Sequence, residues 1–158
     1  MKYRKALESD CEIINKLVQE TIDTIYPKYY PKEVVSFFGE LHNIDNIKKD
    51  IEAQAVWMLF DQENFVGTGT CIENHITRVF VLPQYQGKGY GSFIMEQLEQ
   101  KITKDYPVAI IDASLPACQL YEKRGYETIR HETWECANGI VLVYDFMEKN
   151  LCSQQKKI

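Results

Sequence analysis

The sequence feature with the clearest chemical meaning is a cluster of three glycines, Gly87, Gly89 and Gly91, within "QGKGYG" (86–91). The residues before the cluster are rich in β-branched side chains, and those after it have the apolar spacing of a helix. A helix N-terminus presents unpaired N–H groups and partial positive charge, and glycines let an anion come close to them. The stretch therefore predicts a site for a phosphate or pyrophosphate.

Two familiar phosphate motifs fit this stretch poorly. A P-loop needs Ser or Thr directly after its Lys, whereas Lys88 is followed by Gly89. A dinucleotide fingerprint needs G-x-G-x-x-G, and the spacing here is G-x-G-x-G. Asp112 lies about twenty residues on, where a ribose-binding acid is expected, but four predicted strands precede the loop. A glycine-rich turn without a ligand is the remaining alternative.

A third interpretation rests on resemblance. "QGKGYG" is similar to the Q/R-x-x-G-x-G/A signature of the GNAT superfamily of N-acetyltransferases. A second block, "ASLPACQLYEKRGYE" (113–127), resembles the family's downstream helix, which usually ends in L-Y-E-K-x-G-F/Y. The two blocks occur in the family's order and, with the strand before them, cover residues 75–127. The first 70 residues match only in their order of elements.

The resemblance implies that the cofactor is acetyl-CoA and that backbone amides of the loop hold its pyrophosphate. The amides concerned belong to Gln86, Gly87, Lys88, Gly89, Tyr90, Gly91 and Ser92. Two interpretations of the Lys88 side chain stay open: it adds charge at the phosphates, or it is a solvated loop lysine.

The resemblance also implies a β-bulge in the strand before the loop, whose freed backbone pairs with the pantetheine arm of the cofactor. That backbone belongs here to Val79, Phe80 and Val81. Many members of the family carry an Asn near the start of the second block. Ser114 stands in that region here and is expected to replace the Asn through its hydroxyl.

Acetyl transfer needs a proton donor for the departing thiolate and a stabiliser for the thioester oxygen. The resemblance makes Tyr121, in "LYEKRGY", the general acid near the cofactor sulfur. A phenol suits this role because it stays protonated at neutral pH. The alternative is core packing, since Ala117, Leu120 and Tyr121 share one face of a helix.

The amine must also lose a proton before it attacks. Several members of the family carry an acid six residues before the position of Val81, and this chain has His75 there. An imidazole titrates near neutrality and suits the role of base. By the period of two, His75, Thr77, Val79 and Val81 would share one face of the strand. The alternatives are a His at a strand end without a catalytic role, Glu73 as the base, and bulk water.

The segment between the first two predicted helices would line the acceptor pocket by the same resemblance. Aromatic walls suit a cation or an apolar amine. Tyr26, Tyr29 and Tyr30 are predicted to contact the substrate, whereas Phe37 and Phe38 are expected to pack. The acceptor would be a small-molecule or peptide amine that attacks acetyl-CoA directly in a ternary complex. The alternative function is a non-catalytic acyl-CoA sensor or interaction module.

The elements that must position these residues follow from periodicity and capping. A Ser9/Glu12 capping box would open the first helix, which would end near Tyr26, and Pro31 would begin the second. Further helices are predicted at about 44–53 and 116–125, and another follows the glycine loop with Ile94, Met95, Leu98 and Ile102 on one face. Strands are predicted at 2–6, 55–61, 65–73, 75–82, 108–114, 127–135 and 140–148. The segment 108–114 is nearly all apolar, as in a strand buried on both faces.

This order of elements predicts an α/β fold with a mixed, mostly antiparallel central sheet, helices on both faces and a parallel β-α-β core over 75–114. The 158 residues suit one domain at 1–150 with a frayed tail at 151–158. The last strand, expected at a sheet edge, would allow a homodimer.

Composition limits the cellular compartment and the partners expected for the protein. Neither an apolar run of membrane-spanning length nor a signal-type h-region occurs, so we expect no membrane association and no export. Five cysteines without a C-x-x-C pair indicate a reduced, cytoplasmic protein with no metal site and no disulfide framework. The net charge of −5 argues against nucleic acid as a partner.

Overall fold

The computed structural model of the chain describes residues 1–152. The strands in this range are β1 (Lys2–Lys5), β2 (Val56–Asp61), β3 (Asn64–Ile72), β4 (His75–Val81), β5 (Val108–Ser114), β6 (Glu127–Glu135) and β7 (Val141–Asn150). The α-helices are α1 (Cys11–Ile25), α2 (Lys32–Leu41), α3 (Ile44–Glu52), α4 (Tyr90–Ile102) and α5 (Leu115–Lys123). None of the helices in residues 1–152 is long and apolar enough to cross a membrane.

All seven strands form one sheet in the order β1-β2-β3-β4-β5-β7-β6. Every neighbouring pair is antiparallel except β4 and β5, which are parallel and are connected by α4. A parallel pair needs such a crossover, because the chain must return to the same end of the sheet before the second strand begins. The predicted mixed, mostly antiparallel sheet with a parallel β-α-β core is confirmed.

Two hydrophobic cores lie on the two faces of the sheet. Met58 and Leu59 are neighbours in β2 and point to opposite faces, and each is fully buried in a different core. Leu59 packs in the core that contains α4 and Tyr121 of α5. Met58 packs in the core that contains α1, α2 and α3. The sheet is therefore covered by helices on both faces, as predicted.

Helix α4 lies unusually close to the middle of the sheet. A Cβ atom built at Gly69 of β3 would overlap a methyl group of Ile94 and lie 3.1 Å from Cδ1 of Leu98. A Cβ atom at Gly67 would lie 2.9 Å from the backbone oxygen of Phe80. Because only glycine fits at these two positions, α4 can pack directly on the backbone of β3.

Strand β4 contains a β-bulge at Thr77. Cys71 and Thr70 of β3 are consecutive, but they pair with Ile76 and Arg78, so Thr77 has no partner of its own in β3. The bulge expected from the family resemblance is therefore present, and it lies two residues before Val79.

The bulge changes which side chains share a face of β4. Ile76, Val79 and Val81 all pack in the core of α4, whereas His75 lies beside residues of α2 and α3. The prediction that His75 shares a face with Val79 and Val81 is therefore wrong. The period of two holds only in an uninterrupted strand, and the extra residue shifts it by one.

Strands β4 and β5 separate soon after they meet. Among the described residues they pair only at His75 with Ile110 and at Ile76 with Ile111. Beyond Ile76 the β5-facing side of β4 has no strand partner, so a wedge opens between the two strands. The edge of β5 that faces away from β4 pairs with β7 along its whole length, from Val108 to Ser114.

The start of α1 differs from its prediction. A short 3-10 turn at Glu8–Asp10 precedes α1, and the Asp10 carboxylate accepts the Leu7 N–H at 2.8 Å and pairs with Arg4. Asp10 thus takes the place predicted for the Ser9/Glu12 capping box, which does not form. Pro31 is the N-cap of α2 rather than its first residue.

Three predictions about the C-terminal half are also corrected. Strand β5 is buried on one face, since Ala109, Ile111 and Ala113 are buried while Asp112 is exposed. Strand β7 lies inside the sheet and β6 forms its edge, which removes the argument for a homodimer through β7. Leu151 is buried and donates its N–H to Pro107, so it is not part of a frayed tail. Residues 153–158 of that predicted tail lie outside the described residues.

Candidate active site

The glycine stretch forms a tight loop between β4 and α4. Gly87 and Gly89 have φ values of 75° and 87°, a left-handed backbone that glycine adopts without strain. Gly89 is the N-cap of α4, and no side chain among residues 1–152 caps the first N–H groups of the helix. The Gln86 amide holds the loop against the strand by donating to the Val81 oxygen at 2.9 Å.

A cavity of about 420 Å³, which we call the first cavity, runs from this loop to α5 across the wedge between β4 and β5. It brings together most of the residues that were predicted to bind the cofactor or substrate. Those lining it are Tyr26, Tyr29, Val79, Phe80, Val81, Gln86, Gly87, Gly89, Tyr90, Gly91, Ser92, Ser114 and Tyr121.

Three predicted residues lie elsewhere. The Lys88 side chain extends over the ring of Tyr85, with Nζ 5.4 Å from the ring centroid, and Lys88 does not line the first cavity. The Tyr30 hydroxyl accepts the Leu115 N–H at 3.0 Å and so satisfies the first turn of α5. His75 lines a different cavity, described below.

Tyr121 is held firmly at the end of the first cavity. It is buried on α5 and its ring contacts Tyr126 at a centroid distance of 5.8 Å. Burial raises the pKa of Tyr121 to about 12, although the nearby positive charge of Arg124 opposes the shift. The hydroxyl therefore remains a proton donor at neutral pH. Gly125, with φ of 94°, allows the chain to turn sharply after the helix.

Ser114 lies where the wedge meets α5. It is the N-cap of α5, but its hydroxyl makes no capping hydrogen bond. Instead it lies within hydrogen-bonding reach of the Tyr26 and Tyr30 hydroxyls. Burial raises the pKa of Tyr26, which keeps that hydroxyl neutral and able to donate. Of these three residues, Tyr26 and Ser114 line the first cavity.

Sequence reasoning missed part of the wall of the first cavity. The missed residues are Thr21 and Ile25 of α1, Met95 of α4, and Pro116, Ala117 and Leu120 of α5. The apolar character and helical spacing of Ala117 and Leu120 predict a core face. That spacing does not distinguish a packed core from a cavity wall, and Leu120 is 50% exposed.

A second cavity of about 450 Å³ lies on the α2–α3 side of the sheet. It is lined by α2, α3, the start of β4, β5 and the β6–β7 hairpin, and Ser114 lines both cavities. His75 Nε2 and Asp112 Oδ2 are 3.0 Å apart in it, an ion-pair separation without hydrogen-bond angles. Tyr121 and His75 therefore approach the wedge from opposite faces of the sheet.

Glu73, the alternative base, is part of neither cavity. It lies in the turn between β3 and β4 with φ of 54°, and it is exposed. The strand does not continue through this position, so Glu73 does not share a strand face with His75.

Comparison with known proteins agrees with this geometry. Residues 25–151 match a family model described as an acetyltransferase (GNAT) domain. An uncharacterised acetyltransferase of Streptococcus pyogenes is 32% identical over 117 residues, which cover 68% of this chain and 80% of that protein. The uncharacterised N-acetyltransferase YafP of Escherichia coli K12 is 25% identical over 109 residues, 69% of each chain.

Solved structures share the fold. A GCN5-related N-acetyltransferase from Rhodopseudomonas palustris superposes with a TM-score of 0.86 at 22% identity, covering 94% of both chains. The PaiA N-acetyltransferase of Thermoplasma acidophilum, solved with coenzyme A, has a TM-score of 0.72 at 17% identity over 94% of this chain and 98% of its own. The chain belongs to the GNAT acetyltransferase family and is an acyltransferase.

Proposed function

We propose that the protein moves an acetyl group from acetyl-CoA to a primary amine by direct attack within a ternary complex. The observation that carries this proposal is the continuity of the first cavity, which joins the glycine loop to Tyr121. Two structural neighbours add support, because they are described as complexes with coenzyme A and with acetyl-CoA.

The cofactor would lie along the wedge between β4 and β5. Its pyrophosphate would meet the free N–H groups at the start of α4, with Gly87, Gly89 and Gly91 leaving room for the phosphates. Its pantetheine arm would pair with the backbone of Val79 and Val81 on the side where β4 lacks a strand partner. The thioester would then lie near Ser114 and Tyr121, at the inner end of the first cavity.

Proton transfers would occur at two sites on opposite sides of the thioester. His75 takes one proton from the ammonium, and the neutral nitrogen attacks the carbonyl carbon. The carbon–sulfur bond breaks as the C–N bond forms, and the sulfur takes the proton of the Tyr121 hydroxyl. The second nitrogen proton restores the phenol by way of solvent. The high pKa of Tyr121 ensures that the proton is present before the reaction.

The cofactor assignment is tested by thermal shift with acetyl-CoA, CoA, NAD and ATP. A ligand that binds only the folded state raises Tm. We expect a rise with acetyl-CoA and CoA and none with NAD. A rise with NAD or ATP alone would replace the proposal with a nucleotide-binding function. A rise with CoA but no thiol release with any amine would favour a non-catalytic acyl-CoA sensor.

The acid role of Tyr121 is tested by Tyr121→Phe, which removes one oxygen from a buried side chain and keeps the ring contact with Tyr126. We expect kcat to fall by about 100-fold, the usual contribution of general acid catalysis, with the Kd of CoA unchanged. Equal losses in kcat and CoA binding would indicate a packing role for this side chain instead.

A further inference from the structure

The second cavity has the lining of a binding site for a small organic cation. We infer that it holds the acceptor, and that the acceptor is a small primary amine attached to a flat apolar group. This inference rests on the proposed function, because it requires acetyl-CoA in the first cavity. Ser114 lines both cavities, so an amine in the second cavity would reach the thioester at this residue.

Aromatic side chains form the outer wall of the second cavity. Phe37 of α2 and Trp134 of β6 are in contact, with ring centroids 5.6 Å apart and planes tilted by 35°. Tyr144 and Leu142 of β7 continue the wall. Trp134 is 54% exposed and lines the cavity, so part of its indole is accessible to a ligand. A flat apolar group would fill this space and could stack on the indole.

The charged side chains of the second cavity leave one carboxylate available for a cation. The Arg78 guanidinium is 3.0 Å from Asp50, so its charge is already compensated. His42 accepts a hydrogen bond from Arg78 on Nδ1, and burial with the Arg78 charge lowers its pKa to about 3, so it is neutral. Asp112, 44% exposed beside His75, is the carboxylate left for a ligand.

The charged lining is completed by Lys49, which is exposed on α3 and precedes Asp50 in the sequence. One further polar atom is available inside. Thr77 Oγ1, at the bulge, is buried and has no hydrogen-bond partner among residues 1–152. A buried hydroxyl without a partner is costly, and the ammonium of the acceptor would satisfy it.

The size and closure of the cavity favour a small molecule over a polypeptide. Its volume of about 450 Å³ suits a compact ligand. Beside it, α2 contacts the β6–β7 hairpin twice, through Phe37 with Trp134 and through the Asn138 amide, which donates to Glu33 at 3.4 Å. A peptide that extended out between α2 and the hairpin would have to separate both contacts.

The class of acceptor is tested by comparing kcat/KM for phenethylamine and tyramine with that for spermidine and for a peptide beginning with alanine. We expect the two aromatic amines to be preferred by about tenfold or more, because only they fill the aromatic wall. A preference for spermidine or for the peptide would overturn the inference.

The ammonium contact is tested with two inhibitors that share a phenyl group, the cationic N,N-dimethylphenethylamine and the neutral 2-phenylacetamide. Neither can form a stable acetylated product, so their inhibition constants report binding and not the base. We expect Asp112→Asn to weaken the cation by about fivefold and to leave the neutral compound unchanged. Glu73→Gln, a matched exposed carboxylate outside both cavities, should change neither. Equal effects of Asp112→Asn on both inhibitors would overturn the inference.

The aromatic wall is tested by Trp134→Ala. Because Trp134 is exposed on the edge strand β6, the variant should fold. We expect the KM of phenethylamine to rise by about tenfold with the Kd of CoA unchanged. An unchanged KM would contradict the inference.

The two levels of inference fail in different ways. A protein that does not bind CoA refutes the proposed function, whatever its response to amines. A protein that binds CoA and acetylates spermidine or the peptide in preference to the aromatic amines keeps the proposed function and refutes the assignment of the acceptor.

Discussion

His42 is the residue whose burial has the most direct consequence for stability. His42 is the C-cap of α2 and is buried beside Arg78. Burial, aided by the Arg78 charge, lowers the pKa of His42 from its ordinary value of 6.5 to about 3. Between pH 3 and pH 6.5 the His42 imidazole is protonated in the unfolded chain and neutral in the folded chain. Stability therefore falls as pH drops below about 6.5 and levels off near pH 3.

We predict that the free energy of unfolding falls by about 1–2 kcal/mol between pH 7 and pH 5 because of His42 alone. Urea unfolding at both pH values measures this loss. His42→Gln keeps an acceptor for the Arg78 N–H but does not titrate, so the variant should lose less stability over the same interval. Identical pH slopes for the two proteins would contradict the prediction.

Motifs identify single residues only when their partners are close in sequence. The glycine loop and Tyr121 stand in continuous strings, so their positions could be predicted. Asp112 and His75 are 37 residues apart in sequence yet have atoms 3.0 Å apart. The Phe37 and Trp134 rings are nearly 100 residues apart in sequence. Only the β4–β5 pair and the position of the β6–β7 hairpin bring such residues together, and no spacing rule encodes those contacts.

At the scale of elements, the start of α4 must form a stable helix and also leave room for the pyrophosphate. Gly91 is in the first turn of this helix, and it is not among the residues with positive φ. A Cβ atom there would lie 3.8 Å from Val81 Cγ2, an ordinary contact. Alanine would therefore fit the unliganded protein and would favour the helix. Gly91 lines the first cavity, where we place the pyrophosphate, so the same methyl group would take space from the phosphates.

In the absence of ligand, Gly91→Ala should increase the free energy of unfolding by about 0.5 kcal/mol and so raise Tm slightly. The same change should raise the Kd of CoA by about tenfold or more. Thermal unfolding and calorimetric titration measure the two effects. Gly39→Ala is the control for CoA binding, since Gly39 lies within α2 and does not line the first cavity. Its gain in stability should be smaller, because the added Cβ would lie 3.3 Å from Gln19 Oε1. A variant that gains stability and binds CoA normally would show that the phosphates lie elsewhere.

The β-bulge shows where prediction of elements fails. The composition of 75–81 predicts a strand, and β4 has these bounds. The extra residue at Thr77 has no local signature, because it depends on how β4 pairs with β3. Its consequence is large, since it sends His75 and Val79 to opposite faces and so separates the proposed base from the proposed cofactor contacts.

At the scale of the whole molecule, the order of strands and helices could be predicted because each element has its own period and turn residues. The sheet order could not be predicted in full. The β6–β7 hairpin could be added to the sheet through either strand, and sequence gives no preference between them. In the structure β7 pairs with β5, which places β6 and Trp134 at the edge beside α2. This pairing places Trp134, Leu142 and Tyr144 in the wall of the second cavity.

Under the proposed function, both substrates are bound when the acetyl group moves, one in each of the two cavities that Ser114 lines. The alternative is a covalent acetyl-enzyme, for which Cys118, one turn before Tyr121 on α5, would be the candidate. Burial, together with the nearby Asp145 carboxylate, raises the pKa of Cys118 to about 11, so the reactive thiolate is scarce at neutral pH. Direct transfer to the amine therefore needs no enzyme nucleophile.

We predict sequential kinetics. Initial rates at varied acetyl-CoA and amine should give double-reciprocal lines that intersect, because each substrate changes the effect of the other. Cys118→Ala should keep kcat within about twofold of the original protein, since the thiol takes no part in the transfer. Parallel lines, together with an acetylated Cys118 peptide after incubation with acetyl-CoA alone, would establish the covalent route. The two cavities would then act in turn rather than together.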